Sequence, residues 1–141
     1  MSTITANPEL NKTQNNMLFF EDGIKPPDQV FIFSANLINK RLYLRWEIEQ
    51  DSYLYLEKFS FLDVELNSFL EPSFPAAKEL EDQYFGKVKV FFDRIEVSML
   101  IQDLKENIIK VSYQGCNQKG YCYSPIKKEI IIKENTLMVK R

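Results

Sequence analysis

The sequence predicts an all-β fold, an antiparallel sandwich of short strands, on three observations. Ile, Val, Thr, Phe, Tyr and Trp together number 43, against only 4 alanines. Several segments alternate apolar and polar residues with a period of two. No segment carries a convincing 3.6-residue periodicity, and the apolar runs are separated by turn signals at short intervals. With 141 residues, 45% hydrophobic and 27% charged, the chain has room for one domain, or one domain and a tail. Such a domain buries roughly two-thirds of its unfolded surface, so its core requires neither a metal nor several disulfides.

The elements follow in order. Residues 1–16, MSTITANPELNKTQNN, are polar, with neither a basic nor an apolar region of a signal peptide, and read as a flexible leader. The domain is expected over 17–133. Pro26-Pro27 reads as an extended lead-in to a first strand at Val30–Phe33. Residues 41–49 place Leu42, Leu44, Trp46 and Ile48 on one face, a half-buried strand anchored by Trp46. After the turn Gln50-Asp51-Ser52, residues 53–61 form a long strand or a bent pair, and Leu62 to Leu66 a short strand. Residues 67–83, with Pro72 and Pro75, read as a long ordered loop. Strands follow at 87–92, 94–101 and 107–114, then a break from Gly115 to Tyr123, and a last strand at 126–132. Residues 134–141 read as a frayed tail.

Charge and composition remove several kinds of function. Eighteen basic and twenty acidic residues give a net charge of −2, without the basic excess that binds nucleic acid or anionic membranes. No stretch approaches the roughly 18 apolar residues of a membrane span. There is no histidine, which eliminates Ser-His-Asp and Cys-His nucleophiles and imidazole metal ligands. Two cysteines cannot make a four-thiolate zinc site. Neither metal nor cofactor is expected, and the available chemistry lies in thiols, carboxylates, tyrosines and lysines.

The two cysteines enclose five residues, in Tyr113-Gln-Gly-Cys116-Asn-Gln-Lys-Gly-Tyr-Cys122-Tyr-Ser-Pro125. Gly115 and Gly120 allow so short a loop to turn sharply. A bridge between them would close a seven-residue loop and contribute about 2.4 kcal/mol by chain entropy. That is a weak staple, local to one hairpin, and the spacing fits a plain structural disulfide as well as a reactive one.

The run VSYQGCNQKGYCYSP resembles the cysteine motif of the N-terminal periplasmic domain of the thiol:disulfide interchange protein DsbD, which reads YQGC, five residues, CYPP. Ser124 stands where that motif has its first proline. Three more segments agree in order. They are Pro27-Asp28-Gln29-Val30-Phe31; Leu44-Arg45-Trp46-Glu47-Ile48 with Asp51 and Tyr53-Leu54-Tyr55; and Asp82-Gln83-Tyr84-Phe85-Gly86-Lys87 with Asp93-Arg94. The resemblance covers about residues 24–132.

The resemblance implies an immunoglobulin-like antiparallel β-sandwich carrying one redox-active disulfide on a local hairpin. It implies a protein-disulfide reductase domain of the periplasm, whose export signal is not in this chain. Such a domain takes electrons from a thioredoxin-like donor domain and passes them to disulfide isomerases and to thioredoxin-like proteins of cytochrome c maturation. The catalytic pair would be Cys116 and Cys122, with Cys122 forming transient mixed disulfides and Cys116 resolving them. The cap loop would be Asp82, Gln83, Tyr84, Phe85 and Gly86, with Tyr84 as the shielding aromatic where the family commonly has Phe. Gln83 replaces a second family acid. Tyr53, Tyr55 and Tyr123 would support the site. The family's full-length protein is an inner-membrane protein; its transmembrane and thioredoxin-like parts have no counterpart in these residues, which fit an excised domain or a stand-alone relative. Two other readings stay open: a non-catalytic binding module with a structural disulfide, and a relative that docks partners without efficient transfer.

Overall fold

The computed structural model describes residues 23–102 and 105–141; the expected leader, residues 1–16, lies outside them. The described residues form an all-antiparallel β structure. A helical turn, α1 (Pro27–Val30), leads into β1 (Phe31–Ile38) and β2 (Arg41–Ile48). Then come β3 (Ser52–Tyr55), a 3-10 turn at Leu56–Lys58, β4 (Ser60–Asp63), β5 (Ser68–Phe69), β6 (Lys78–Asp82) and β7 (Gly86–Phe91). The remainder is β8 (Arg94–Leu100), β9 (Glu106–Tyr113), β10 (Gly115–Asn117), β11 (Tyr121–Cys122), β12 (Ile126–Lys133) and β13 (Thr136–Lys140).

These strands pair into three sheets, β13-β12-β9-β4-β5, β1-β2-β8 and β11-β10-β3-β7-β6. The inward residues of β2, Leu42, Leu44 and Trp46, meet Ile109, Val111 and Tyr113 of β9 and Ile130 and Ile132 of β12 in one core. Trp46 is the anchor expected from its strand. Its ring lies edge-on to Tyr113 at 5.3 Å and to Phe59 at 5.0 Å. Burying so many aromatic and branched side chains is the main stabilising term of the domain, each contributing roughly 1.5–3 kcal/mol.

Several elements depart from the sequence reading. Residues 27–30 turn helically instead of leading in as extended chain, because Pro27 takes the first helical position, where its missing N–H costs nothing. The 53–61 segment is the bent pair, broken by the 3-10 turn. The next strand ends at Asp63 and does not run to Leu66. The loop of 67–83 contains two strands: Phe69 pairs with Leu62, and β6 pairs along β7. The tail is a strand along β12, with Lys140 opposite Glu129. Its turn, Glu134-Asn135, has φ of 50° and 62°, the left-handed pair that a two-residue hairpin needs. No glycine marks that turn in the sequence. Arg141 ends against Asp28, which also accepts from the buried Lys128 at 2.7 Å.

Candidate functional site

The third sheet builds the site. Its middle strand, β3, has the cysteine hairpin β10–β11 on one side and the hairpin β6–β7 on the other. Tyr53 and Tyr55, two residues apart on β3, point to the same side, as strand pleating requires. The two hairpins, distant in sequence, thus meet over two tyrosines.

Cys116 and Cys122 sit directly opposite one another on β10 and β11 and form a disulfide. Cys116 is fully buried and Cys122 is exposed. Gly115 serves close approach: a β-carbon there would lie 2.2 Å from the Tyr53 carbonyl oxygen and 2.7 Å from Phe31 Cζ. It is therefore a packing glycine in a strand, whereas Gly120, with φ +108°, is the turning glycine expected of the loop. Asn117, which the sequence reading passed over, donates to Ser52 Oγ at 3.0 Å and accepts from the Lys119 amide at 2.7 Å. This side-chain-to-backbone turn starting at an asparagine is a recognisable loop signal. Gln114 was missed as well; its Nε2 donates to the Tyr123 carbonyl at 3.0 Å and closes the hairpin base.

The expected cap loop is the tip of the β6–β7 hairpin, with Asp82 paired to Gly86 and residues 83–85 between. Asp82 is buried and holds the tip together. Its Oδ1 accepts from the amides of Tyr84 (2.5 Å) and Phe85 (2.9 Å). Its Oδ2 accepts from the hydroxyls of Tyr55 (2.6 Å) and Tyr53. The Tyr55 hydroxyl in turn lies 3.0 Å from Cys116 Sγ, so the carboxylate reaches the sulfur through a tyrosine.

Burial by itself would raise the Asp82 pKa. The two tyrosine hydroxyls and the two amides outweigh it and hold the carboxyl below its ordinary 3.8. Tyr53 is pushed up to about 12, first by burial and then by its bond to Asp82. Tyr55 is pushed further up for the same two reasons.

The tip residues divide their contacts. Tyr84, whose hydroxyl needed a partner, donates it to the Gly120 carbonyl at 2.5 Å, across to the cysteine hairpin. Phe85 lies edge-on to Tyr55 at 5.1 Å, with Lys58 Nζ 4.8 Å from its ring centre. Gln83 Nε2 is 3.5 Å from where a Gly120 β-carbon would stand. Gly86 has φ +77°. A cleft of about 400 Å³ runs between Asp82–Tyr84 and Asn117–Gly120. Tyr123 stands apart from this cluster. Its hydroxyl donates to the Lys25 carbonyl at 2.7 Å, and its ring packs edge-on to Phe31. The sequence reading had grouped it with Tyr53 and Tyr55. Among the described residues no group of three or more Cys, Asp or Glu is arranged to hold a metal ion.

Residues 21–134 match the family model described as thiol:disulfide interchange protein DsbD, N-terminal. Among curated relatives, DsbD of Haemophilus ducreyi is 37% identical over 98 residues, 69% of this chain and 17% of that protein. DsbD of Klebsiella pneumoniae is 34% identical over 106 residues, 74% of this chain and 18% of that protein. The chain therefore spans less than a fifth of the length of these relatives. The solved N-terminal domain of Neisseria meningitidis DsbD in the reduced form superposes with a TM-score of 0.73 at 23% identity, over 85% of this chain and 98% of that one. The same kind of domain from that organism, in a complex with the PilB N-terminal domain, gives 0.70 at 22% identity, over 84% of this chain and 94% of that one. These likenesses agree with an immunoglobulin-like sandwich.

Proposed function

This chain belongs to the family of the N-terminal domain of the thiol:disulfide interchange protein DsbD, and on that premise we propose that it is a thiol-disulfide exchange domain working through a reversible Cys116–Cys122 bond. The observation that carries the reading is the asymmetry of the pair: one sulfur-bearing residue buried beside Tyr55, the other exposed on the edge strand of a short hairpin.

The steps conserve atoms and electrons. A thiolate of a donor dithiol attacks the exposed sulfur of Cys122, forming a mixed disulfide and leaving Cys116 as the departing thiolate, which takes up a proton. The donor's second thiolate then attacks its own sulfur in the mixed bond and releases Cys122. The donor is oxidised by two electrons, and this domain is reduced by two. In the forward direction, Cys122 attacks a client disulfide, and Cys116 resolves the mixed bond, releasing the reduced client. Rate depends on thiolate fraction, nucleophilicity and access.

As a reductase domain it would receive electrons from a thioredoxin-like donor and reduce periplasmic disulfide isomerases and thioredoxin-like proteins of cytochrome c maturation. The Neisseria relative's complex with the PilB N-terminal domain supports protein partners of this kind. Asp82, Tyr53 and Tyr55 would support the pair, and residues 82–86 would cap it. No cofactor enters these steps.

The test is the reduction potential of the pair, read by alkylation and mass shift across graded thiol buffers. A value of roughly −200 to −270 mV lies among exchanging couples. Partners would then be trapped on Cys122 in the Cys116→Ser variant. A value well below about −300 mV marks a structural bridge and gives preference to a non-catalytic binding module.

A further inference from the structure

We propose that the Tyr84 hydroxyl is a latch pinning the hairpin tip to the cysteine loop, which makes Tyr84 a positioning residue for disulfide exchange. Only the last step of this inference rests on the exchange reading above.

Hydrogen bonds hold the tip, residues 83–85, at two places, and the Phe85 ring packs on Tyr55 besides. At its base Asp82 accepts the Tyr84 and Phe85 amides. At its far end the Tyr84 hydroxyl reaches the Gly120 carbonyl, 36 positions along the chain. Together these contacts close a ring. It runs from Gly120 to Tyr84, through the amide to Asp82, on to Tyr55, to Cys116 Sγ, across the disulfide to Cys122, and back along the chain to Gly120.

The links are unequal. The Asp82–Tyr55 and Tyr55–Cys116 contacts are buried, whereas the Tyr84–Gly120 bond is exposed. Water competes for an exposed bond, so this link opens first. Its acceptor is a main-chain carbonyl presented by a glycine at φ +108°, a conformation that a side chain disfavours. At the end of the tip, nothing lies within 4 Å of where a Gly86 β-carbon would be, so no packed side chain adds a hold there. Any partner attacking Cys122 must take up the hairpin surface two residues away at Gly120, where the latch sits.

Tyr84→Phe keeps the ring and deletes the bond. In the full chain, amide exchange at Tyr84 and Phe85 reads the latch directly. Reduction of the disulfide by reduced thioredoxin reads its effect on access. Both amides should exchange roughly fivefold faster, the factor a single net hydrogen bond supplies. Reduction should speed up by a similar factor, with the equilibrium potential unmoved. Unchanged amide exchange overturns the latch. Faster amide exchange with an unchanged reduction rate, or with a shifted potential, overturns the positioning role. If reduced thioredoxin does not reduce the unsubstituted chain, the exchange reading and the positioning role both fail, and the amides still decide the latch.

Discussion

Tyr55 and Cys116 meet through their polar tips, the hydroxyl oxygen 3.0 Å from Sγ. A hydroxyl has one proton, and Tyr55 gives it to Asp82 Oδ2 at 2.6 Å. Its lone pairs therefore face the sulfur. A disulfide sulfur has no proton to offer in return, but a reduced thiol has.

Tyr55→Phe should accordingly destabilise the reduced protein more than the oxidised one. The midpoint potential should move to more negative values by about 20 mV, the equivalent of one net hydrogen bond near 1 kcal/mol. Thiol-buffer titration of both proteins measures it; an unmoved or more positive midpoint contradicts the assignment of the proton.

Asp82→Asn replaces an acceptor of four hydrogen bonds with a side chain whose NH₂ must face donors. A loss of about 1–3 kcal/mol in urea unfolding is expected. The pH dependence follows from the depressed Asp82 pKa. Its stabilising contribution is present above the ordinary value of 3.8 and is lost as pH falls through the lower value in the fold. Acid unfolding of the Asn variant should therefore be less steep in that range.

The alkaline side has the opposite sign. Burial first of all raises Tyr53, Tyr55, Tyr113 and Tyr123 above their usual 10, Tyr53 to about 12. Their contribution is present below pH 10 and is lost as pH rises through the higher values in the fold. Absorbance at 295 nm should show these four ionising in a step that coincides with unfolding by circular dichroism. Ionisation of all four well before unfolding contradicts their burial.

Gly115→Ala places a β-carbon 2.2 Å from a main-chain oxygen, and the backbone must shift to relieve it. About 3 kcal/mol or more of stability should be lost, at the upper end for overpacking, as measured by urea unfolding. Gly120→Ala meets only the end of Gln83 and should cost less, the strain of its positive φ alone.

Much of the fold was legible because its signals are local. The alternation at Leu42, Leu44, Trp46 and Ile48 became a buried strand face, and Trp46 reached the centre of the core. The tail strand was not legible, since Glu134-Asn135 forms its turn without glycine and Met138 and Val139 remain exposed on an edge. In the site, the cysteine motif and Asp82 to Gly86 stood out as short runs. The contacts joining them did not. The Tyr84 bond to Gly120 and the Tyr55 contact with Cys116 depend on two hairpins flanking one strand, a pairing that no short run encodes. Gly115 showed itself as a glycine, but its reason, the nearness of Tyr53 and Phe31, required the folded chain.

The strand β3 is buried from end to end, with Leu54 in the main core and Tyr53 and Tyr55 beneath the two hairpins. Interior and chemistry thus share a backbone only four residues long. Substitutions that repack the core around Leu54 will be transmitted to the tyrosines on either side. Robustness and reactivity are inherited together here, and variants selected for one will drift in the other.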